Sequence, residues 1–197
     1  TDFAVYYQSV QDVLQKKNPY EDTNIDLNYP PSTLVFLLPL NLLLLENAPK
    51  IWTIFSIGAL PMSIYLLLKI IFQRVLLLDF LLIFSFAIQA FPTKFTLGMG
   101  QTNLFILLLL TVCFFLYAQK WTYVSGIFLG SAIAIKLLPV FLLVFFIKKR
   151  QWKIILSSVI TIICTFGLSL FLFKIELTRQ YYLSVLPSFS IGTNNIY

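Results

Sequence analysis

The sequence contains no histidine, only two cysteines and few charged residues among its 197 positions. Without histidine, imidazole acid–base catalysis and histidine metal ligation are excluded. Charged residues make up 11% of the chain, whereas a soluble domain has about 25%. This shortage excludes a water-soluble globule, a disordered chain and a cytosolic nucleic-acid-binding protein. Cys113 and Cys164 lie inside apolar segments, so we expect buried thiols and no disulfide or metal framework.

Hydrophobic residues, in contrast, make up 59% of the chain, and the mean hydropathy is +0.88. They collect in long blocks, which predicts an all-α polytopic integral membrane protein. The predicted apolar segments are 34–45, 51–72, 75–91, 104–118, 121–147 (broken near 136–139) and 154–173. Segment 51–72 is about 33 Å long as a helix and can span a bilayer. Segment 34–45 is about 18 Å long as a helix, so we expect it to insert only part-way.

Polar sequence at both ends divides the chain into three parts. Residues 1–31 hold five of the eight acidic residues, namely Asp2, Asp12, Glu21, Asp22 and Asp26. Apolar side chains in this part recur at three- and four-residue spacing, which predicts an amphipathic helix at the membrane surface with Asp12 on its polar face. Residues 32–173 form the transmembrane bundle. Residues 174–197 begin a further polar loop.

One internal segment and the two chain ends complete this organisation. Residues 92–103 are rich in proline, glycine and polar side chains, and we interpret them as a loop. The chain opens at Thr1 without a methionine and ends in a polar segment. We therefore expect a piece of a larger protein, truncated at both ends, with further spans on both sides.

Basic residues indicate how the bundle is oriented. The densest basic cluster lies at 148–153, and short basic loops face the cytoplasm. Counting back from this cluster gives two topologies, both with the two ends of the chain outside. In the first, which we prefer, the turn around Lys136 and the 92–103 loop are also outside. In the second, every apolar segment is a full span, which puts Lys136 near the bilayer centre, where a charge costs at least ~3 kcal/mol.

In the first topology, a set of polar residues gathers on the outer face of the membrane. A carboxylate there can act as a general base toward a hydroxyl, and a lysine at head-group level can hold a phosphate. Amide side chains beside glycines suit the oxygens of a sugar or a phosphate. The set comprises Asp2, Asn18, Tyr20, Tyr29, Lys94, Gln101, Asn103 and Lys136. Together these residues predict a polar cavity that is open toward lipid.

Purely structural roles are open for the same residues. Asp2 stands where a helix N-cap is common, and Gln101 and Asn103 can cap the helix that follows them. Lys136 can extend to the membrane interface without binding a ligand.

Three groups of motifs occur in order along the chain. The first is Asp2-Phe3-x-x-Tyr6-Tyr7 with Asn18-Pro19-Tyr20 and Tyr29-Pro30-Pro31, the second is Gly100-Gln101-x-Asn103, and the third is Gly126 and Gly130 with Ala134-Ile135-Lys136-Leu137-Leu138-Pro139. This set resembles the polyprenyl-phosphate-mannose-dependent glycosyltransferases of the GT87 type, which have the GT-C fold. The glycine pair by itself also favours close helix packing.

The resemblance implies a GT-C-like helical bundle with an amphipathic helix in its first extracytoplasmic loop. It implies a membrane glycosyltransferase that moves a hexose, usually mannose, from a polyprenyl-phosphate-linked donor to an extracytoplasmic glycan or glycolipid acceptor. No cofactor, metal or nucleic acid is expected. Such an enzyme would lie in the bilayer of a bacterial cytoplasmic membrane, with its active site on the extracytoplasmic side.

The resemblance also implies roles for individual residues. In GT-C enzymes an acidic residue of the first outer loop is the catalytic base, and that position falls on Asp2. The base deprotonates the acceptor hydroxyl as it attacks the anomeric carbon, with inversion. The leaving phosphate needs a nearby cation, for which Lys136 is the candidate. The other predicted substrate-binding residues are Tyr7, Asn18, Tyr20, Tyr29, Gln101 and Asn103.

A membrane transporter or flippase of a lipid-linked or anionic substrate is the alternative function. Lys136 within an apolar segment and the nearby Pro139 indicate a broken helix, and broken helices form binding sites in transporters. Against this alternative, we find no inverted repeat in the sequence, and the acidic outer segment is longer than a carrier needs. A third, weaker hypothesis is a catalytically silent relative that organises an envelope-assembly complex.

Overall fold

The computed structural model describes residues 1–21, 27–72, 74–173 and 175–191. All regular elements within these ranges are helical, in agreement with the predicted all-α fold. Asp22 and Asp26, two of the acidic residues of the first part, lie outside the described residues. The α-helices are α1 (Asp2–Leu14), α2 (Pro31–Leu37), α3 (Ala48–Ile71), α4 (Leu77–Gln89), α5 (Phe91–Met99), α6 (Asn103–Ala118), α7 (Thr122–Ile135), α8 (Phe141–Lys148), α9 (Trp152–Leu172), α10 (Ile175–Gln180) and α11 (Leu186–Ile191).

Two helices in the described part of the chain are long and apolar enough to cross a membrane, α3 with 24 residues and α9 with 21 residues. Helices α4 and α5 make a third span when they are counted together, although their axes bend by 64°. The predicted segments 104–118 and 121–147 correspond to the shorter apolar helices α6, α7 and α8. Short helices of this kind are stable at membrane depth only when they pack against protein.

Residues 92–103, which we interpreted as a loop, are mainly helical, because α5 extends from Phe91 to Met99. Proline at the first turn of a helix is well tolerated, since the N–H that it lacks has no partner there. Gly100 ends α5 in the left-handed conformation, with φ of 69°. Proline and glycine therefore mark the start and the end of a helix here rather than a loop.

The tail after residue 173 is also helical in its described part, where α10, a π-helical turn at Tyr181–Val185 and α11 follow one another. Leu177 and Tyr181, one helical turn apart, are each only 3% exposed. This segment therefore packs on the protein, and the prediction of loop character was wrong. Its burial depends on α1, far away in sequence, so local sequence could not reveal it.

Helix α1 is amphipathic and packs into the protein along its apolar face. Its buried residues are Phe3, Tyr6, Tyr7, Ser9, Val10, Asp12 and Val13. The apolar members form one cluster with Leu34 of α2, Trp52 of α3 and Leu177 of α10. Asp12, which we predicted on the polar face, is only 4% exposed. That prediction was wrong because the periodicity of α1 alone does not show which other elements cover it.

Helix α2 is shorter than the predicted segment 34–45. It begins at Pro31, and beyond Leu37 the chain continues as a 3-10 helix, Leu38–Leu42, that contains Pro39. Proline removes a backbone donor that a longer α-helix would use. The result is a short element at one end of the bundle.

Helix α7 ends at Ile135, where the sequence predicts a break. Lys136 is extended, with φ of −144° and ψ of 131°. Pro139 lies in the following 3-10 turn, Leu138–Val140, which leads into α8. A proline at this position prevents the helix from continuing, so Lys136 lies at the end of α7 and not within a helix.

The last carbonyl groups of α7 find their partners on α2. Such groups lack intrahelical donors. Ser32 Oγ donates to Ala134 O at 2.6 Å, and Thr33 Oγ1 donates to Ile135 O at 2.7 Å. Both hydroxyl residues are buried. Helix α2 therefore caps α7 and fixes the backbone next to Lys136.

Two glycines let α7 approach α9 closely. A Cβ on Gly126 would lie 2.4 Å from the carbonyl oxygen of Ile154, and a Cβ on Gly130 would lie 2.6 Å from that of Ser158. Ser158 Oγ also donates to Gly126 O at 3.0 Å. Close backbone contact of this kind is the usual role of glycines four residues apart in membrane helices, as the sequence predicts.

The path of the chain gives the bundle one polar end and one basic end. Asn103 starts α6 at the polar end, α7 returns to that end at Ile135, and α8 leaves it again. The basic residues Lys69, Arg74, Lys120 and the 148–153 cluster fall at the other end of these helices. This arrangement corresponds to the first of the two topologies.

Candidate active site

A cavity of about 610 Å³ lies at the polar end of the bundle. Its polar lining includes Asp2, Tyr29 and Lys136, and its apolar lining includes Leu137, Leu138, Val140, Phe141 and Leu186. Leu138 and Phe141 are 67% and 72% exposed, so the apolar wall is open at the surface of the bundle. A cavity with charged groups on one side and apolar side chains on the other suits an amphiphilic ligand.

Four polar side chains from three parts of the chain form a continuous row of hydrogen bonds. Lys136 Nζ donates to Asn103 Oδ1 at 3.2 Å. Asn103 Nδ2 donates to Gln101 Oε1 at 2.7 Å. Gln101 Nε2 donates to Asp2 Oδ2 at 2.8 Å. All three donors point from the lysine toward the carboxylate.

This direction has an electrostatic consequence. The amide dipoles of Asn103 and Gln101 are aligned between a cation and an anion, so each hydrogen bond polarises the next. The row holds the Asp2 carboxylate and the Lys136 ammonium at separate points of one cavity wall. The Lys136 ammonium can stabilise an anion that forms beside it, and the Asp2 carboxylate can accept a proton.

Tyr29 connects the polar row to the segment before α2. Lys136 Nζ lies 5.7 Å from the centre of the Tyr29 ring, a cation–π contact. Thr102 Oγ1 donates to the Tyr29 hydroxyl at 3.3 Å, and the Tyr6 ring meets the Tyr29 ring edge-on. Pro30 and Pro31 follow and start α2, so the Tyr-Pro-Pro motif places an aromatic face against the lysine.

Gly100 brings the Gln101 turn against α1. Its φ of 69° is unfavourable for other residues, and an added Cβ would lie 2.7 Å from Cβ of Phe3. Trp52 Nε1 donates to Gly100 O at 2.9 Å. Phe3 follows Asp2 directly, so this contact sets how closely Gln101 approaches the Asp2 carboxylate.

The other predicted site residues lie elsewhere. Tyr7 is in the core of the α1 cluster, and its hydroxyl donates to Leu43 O at 3.0 Å. The Tyr20 hydroxyl donates to Tyr29 O at 2.7 Å, so Tyr20 supports the site from behind. Asn18 donates to Glu21 and to Gln180 and lines a different cavity. The structure thus brings Asp2, Tyr29, Gln101, Asn103 and Lys136 together. Tyr7, Tyr20 and Asn18 lie outside the cavity.

Tyrosines near the cavity remain neutral at physiological pH. Burial raises the pKa of Tyr6 and that of Tyr20 above the ordinary value, and neighbouring tyrosines add to both shifts. Burial, with a smaller contribution from Tyr182, raises the pKa of Tyr181 to about 12. These hydroxyl groups therefore keep their protons and do not act as bases.

Sequence reasoning missed several supporting residues. Thr96 on α5 contacts both amide side chains, at 3.4 Å from Gln101 Oε1 and 3.4 Å from Asn103 Nδ2. Thr102 and Trp52 hold Tyr29 and Gly100 in place. The Thr-x-Gly-x-Gly-Gln-Thr-Asn run is visible in the sequence, but the role of Thr96 depends on α5 being a helix. The alternative that Gln101 and Asn103 serve as caps does not hold, because the cap position is Thr102 and has no side-chain cap bond.

Comparison with protein families gives a match to the model of glycosyltransferase family 87 over residues 27–197. The chain belongs to glycosyltransferase family 87. The matched region includes Tyr29, Gln101, Asn103 and Lys136, whereas Asp2 precedes it. The inclusion of Asp2 in the site therefore rests on the geometry described above.

Two curated relatives carry the same description, polyprenol-phosphate-mannose-dependent alpha-(1-2)-phosphatidylinositol pentamannoside mannosyltransferase. The protein of Mycobacterium tuberculosis is 26% identical over 167 residues, which cover 84% of this chain and 38% of the relative. The protein of Mycolicibacterium smegmatis is 27% identical over 148 residues, which cover 75% of this chain and 35% of the relative. The chain thus spans less than two-fifths of the length of these relatives. A search of solved structures found no match.

Proposed function

We propose that the full-length protein is a membrane mannosyltransferase that takes mannose from a polyprenyl-phosphate donor and transfers it to a glycan or glycolipid outside the cytoplasm. The observation that carries this proposal is the hydrogen-bonded row from Lys136 to Asp2, next to a cavity with an exposed apolar wall. Membership of family 87 and the descriptions of the two relatives support mannose on a polyprenyl phosphate as the donor.

Asp2 is the general base in this proposal. Its carboxylate takes the proton of the acceptor hydroxyl while the hydroxyl oxygen bonds to the anomeric carbon of mannose. The bond from that carbon to the phosphate oxygen breaks on the opposite face, which inverts the configuration. Gln101 donates to one oxygen of Asp2, at 2.8 Å from Oδ2, so that oxygen is held while the carboxylate accepts the proton.

Lys136 stabilises the leaving group. Polyprenyl phosphate gains negative charge as the bond to mannose breaks, and a fixed ammonium group at the developing charge lowers the barrier. Asn103 and the ring of Tyr29 hold the ammonium group from two sides. The apolar wall formed by residues such as Leu138 and Phe141 accommodates the first isoprene units of the donor. Gln101 and Asn103 act mainly by positioning Asp2 and Lys136.

The test is transfer of radiolabelled mannose from polyprenyl-phosphate-mannose by membranes that contain the full-length protein. We expect a labelled glycolipid or glycan product from the wild type. Asp2→Asn, which keeps the shape but removes the base, should reduce the rate by about 100-fold or more. The matched control is Glu46→Gln, because Glu46 is an exposed carboxylate remote from the cavity. Unchanged activity of Asp2→Asn at normal expression would contradict the role of Asp2.

The side of the membrane is tested separately by labelling. Single cysteines at Gln101 and Lys136, in a background without Cys113 and Cys164, should react with a membrane-impermeant reagent added outside the cell. A cysteine at Arg150 should react only after the membrane is opened. Labelling of Gln101 only from the cytoplasmic side would support the second topology.

A transporter remains the second candidate because α7 and α8 form a broken helix. However, Lys136 contacts Asn103, the first residue of α6, so the break lies at one end of the bundle and not at its midplane. Substrate sites of transporters with broken helices lie near the midplane. Uptake into proteoliposomes without formation of a covalent product would favour this candidate over the transferase.

A further inference from the structure

A second cavity, of about 600 Å³, lies beside the other end of α1. It is lined by Gln8, Asp12, Lys16, Lys17, Asn18, Glu21, Glu176 and Leu177. The side chains at its rim, such as Glu21 and Glu176, are exposed, whereas Asp12 is only 4% exposed. The cavity therefore has a buried carboxylate among exposed polar groups.

The Asp12 carboxylate is only half satisfied. Gln8 Nε2 donates to Oδ1 at 3.0 Å, whereas Oδ2 is buried and has no hydrogen-bond partner among the residues that the structure describes. Leaving a buried acceptor unpaired is unfavourable, and more so for a charged group. Asp12 lines the cavity, so a hydrogen-bond donor that enters the cavity can approach this carboxylate.

The charges around the cavity indicate what kind of donor fits. Three carboxylates and two lysines line it, so neither sign dominates. The carboxylates disfavour a phosphate, and the lysines disfavour a metal ion or a polyamine. A neutral polyhydroxylated ligand suits this lining, because each hydroxyl can donate to a carboxylate and accept from an ammonium or amide group.

Helix α1 connects this cavity with the candidate active site. Asp2, Val5, Gln8 and Asp12 follow at spacings of three, three and four residues, so they share one face of the helix. Ten residues separate Asp2 from Asp12, which is about 15 Å along the helix axis. A smaller cavity of about 170 Å³, lined in part by Asp2, Val5 and Tyr6, lies against the same face.

We propose that the second cavity binds the carbohydrate part of the acceptor, with Asp12 accepting a hydrogen bond from a sugar hydroxyl at its base. The acceptor then extends along α1 and presents its reactive hydroxyl to Asp2. Asn18 shapes the rim by joining Glu21 to Gln180 of α10. The identification of the ligand as an acceptor rests on the proposed transferase function, whereas saccharide binding at Asp12 can be measured without any transfer.

The experiment is saturation-transfer NMR with the full-length protein in lipid nanodiscs and a soluble mannose disaccharide as the probe. We expect binding to the wild type. For Asp12→Asn we expect a dissociation constant that is about tenfold larger, because a hydrogen bond to a charged group is lost. Glu176→Gln tests the exposed rim without disturbing the core, and we expect about threefold weaker binding. Glu46→Gln should bind the disaccharide as the wild type does.

The outcomes separate this proposal from the transferase function. Unchanged disaccharide affinity in both Asp12→Asn and Glu176→Gln, or no binding to the wild type, would overturn the proposal even if mannose transfer occurs. Binding of Ca²⁺ in place of the disaccharide would overturn it as well. If the disaccharide binds in a manner that depends on Asp12 but no mannose is transferred, the second cavity is still a carbohydrate site, and only the transferase function is contradicted. A thermal melt of each variant checks that Asp12→Asn is folded, and Glu176→Gln decides the question if it is not.

Discussion

Two cavities of nearly equal volume, about 610 and 600 Å³, lie at opposite ends of the same helix, α1. The first has few polar groups and an exposed apolar wall. The second is lined almost entirely by polar and charged side chains. The volume of a cavity thus indicates little about its ligand, whereas the residues that line it indicate the kind of ligand that fits. An apolar wall with one cation suits a lipid phosphate, and mixed charges with a half-satisfied carboxylate suit a saccharide.

The comparison predicts that a substitution in one cavity leaves ligand binding at the other cavity unchanged. The largest effect on mannose transfer should come from Lys136→Gln. We expect the rate of mannose transfer to fall by about 100-fold, because the leaving phosphate loses its cation. Lys136→Arg keeps the charge and should recover part of the rate. The measurement is kcat/KM for the polyprenyl-phosphate donor, with Lys50→Gln, an exposed lysine away from the cavity, as the control.

Disaccharide binding of Lys136→Gln in nanodiscs should equal that of the wild type. Equal losses of donor use and disaccharide binding would mean that the two cavities are not independent. A Lys136→Gln variant with wild-type kcat/KM would remove the lysine from the mechanism.

Gly126→Ala should have a smaller effect, and this effect is on the stability of the whole protein and not on one cavity. The new Cβ would lie 2.4 Å from the carbonyl oxygen of Ile154, and this backbone atom cannot move without separating α7 from α9. We expect a loss of about 1–3 kcal/mol of stability, measured as a lower midpoint of thermal unfolding in detergent.

Gly167→Ala in α9 is the matched control, since no atom of another element lies within 4 Å of the added Cβ. It should leave the midpoint unchanged or raise it slightly, because alanine favours a helix over glycine. A similar decrease in both variants would show that the contact between α7 and α9 does not determine the result.

Sequence patterns predicted the bundle well where the signal is local. The apolar blocks 51–72 and 154–173 correspond to α3 and α9 within a few residues. Lys136 and Pro139 mark the end of α7, because a charge and a proline both disfavour a continuous apolar helix. The glycine pair of α7 follows from the same kind of reasoning, since only close packing explains two small residues on one helix face.

The remaining errors come from contacts between distant parts of the chain. The periodicity of α1 predicts Asp12 on the polar face, but Asp12 is buried, and Leu177 of α10 packs in one cluster with the apolar residues of α1. The prediction of a loop after residue 173 is wrong for the same reason, because the contacts that bury this segment are with α1, which is distant in sequence. For the candidate site, the sequence predicts Asp2, Gln101, Asn103 and Lys136 as polar residues of one outer cavity. Their alignment into one row of hydrogen bonds required the fold.

The most direct test of two separate cavities compares Asp2→Asn with Asp12→Asn in mannose transfer at increasing concentrations of a mannose-bearing glycolipid acceptor. We expect Asp2→Asn to remain about 100-fold slower at every concentration, because the base is missing, and Asp12→Asn to reach the wild-type rate once the acceptor is saturating. A wild-type rate for Asp2→Asn at saturating acceptor would contradict the assignment of the active site to the first cavity.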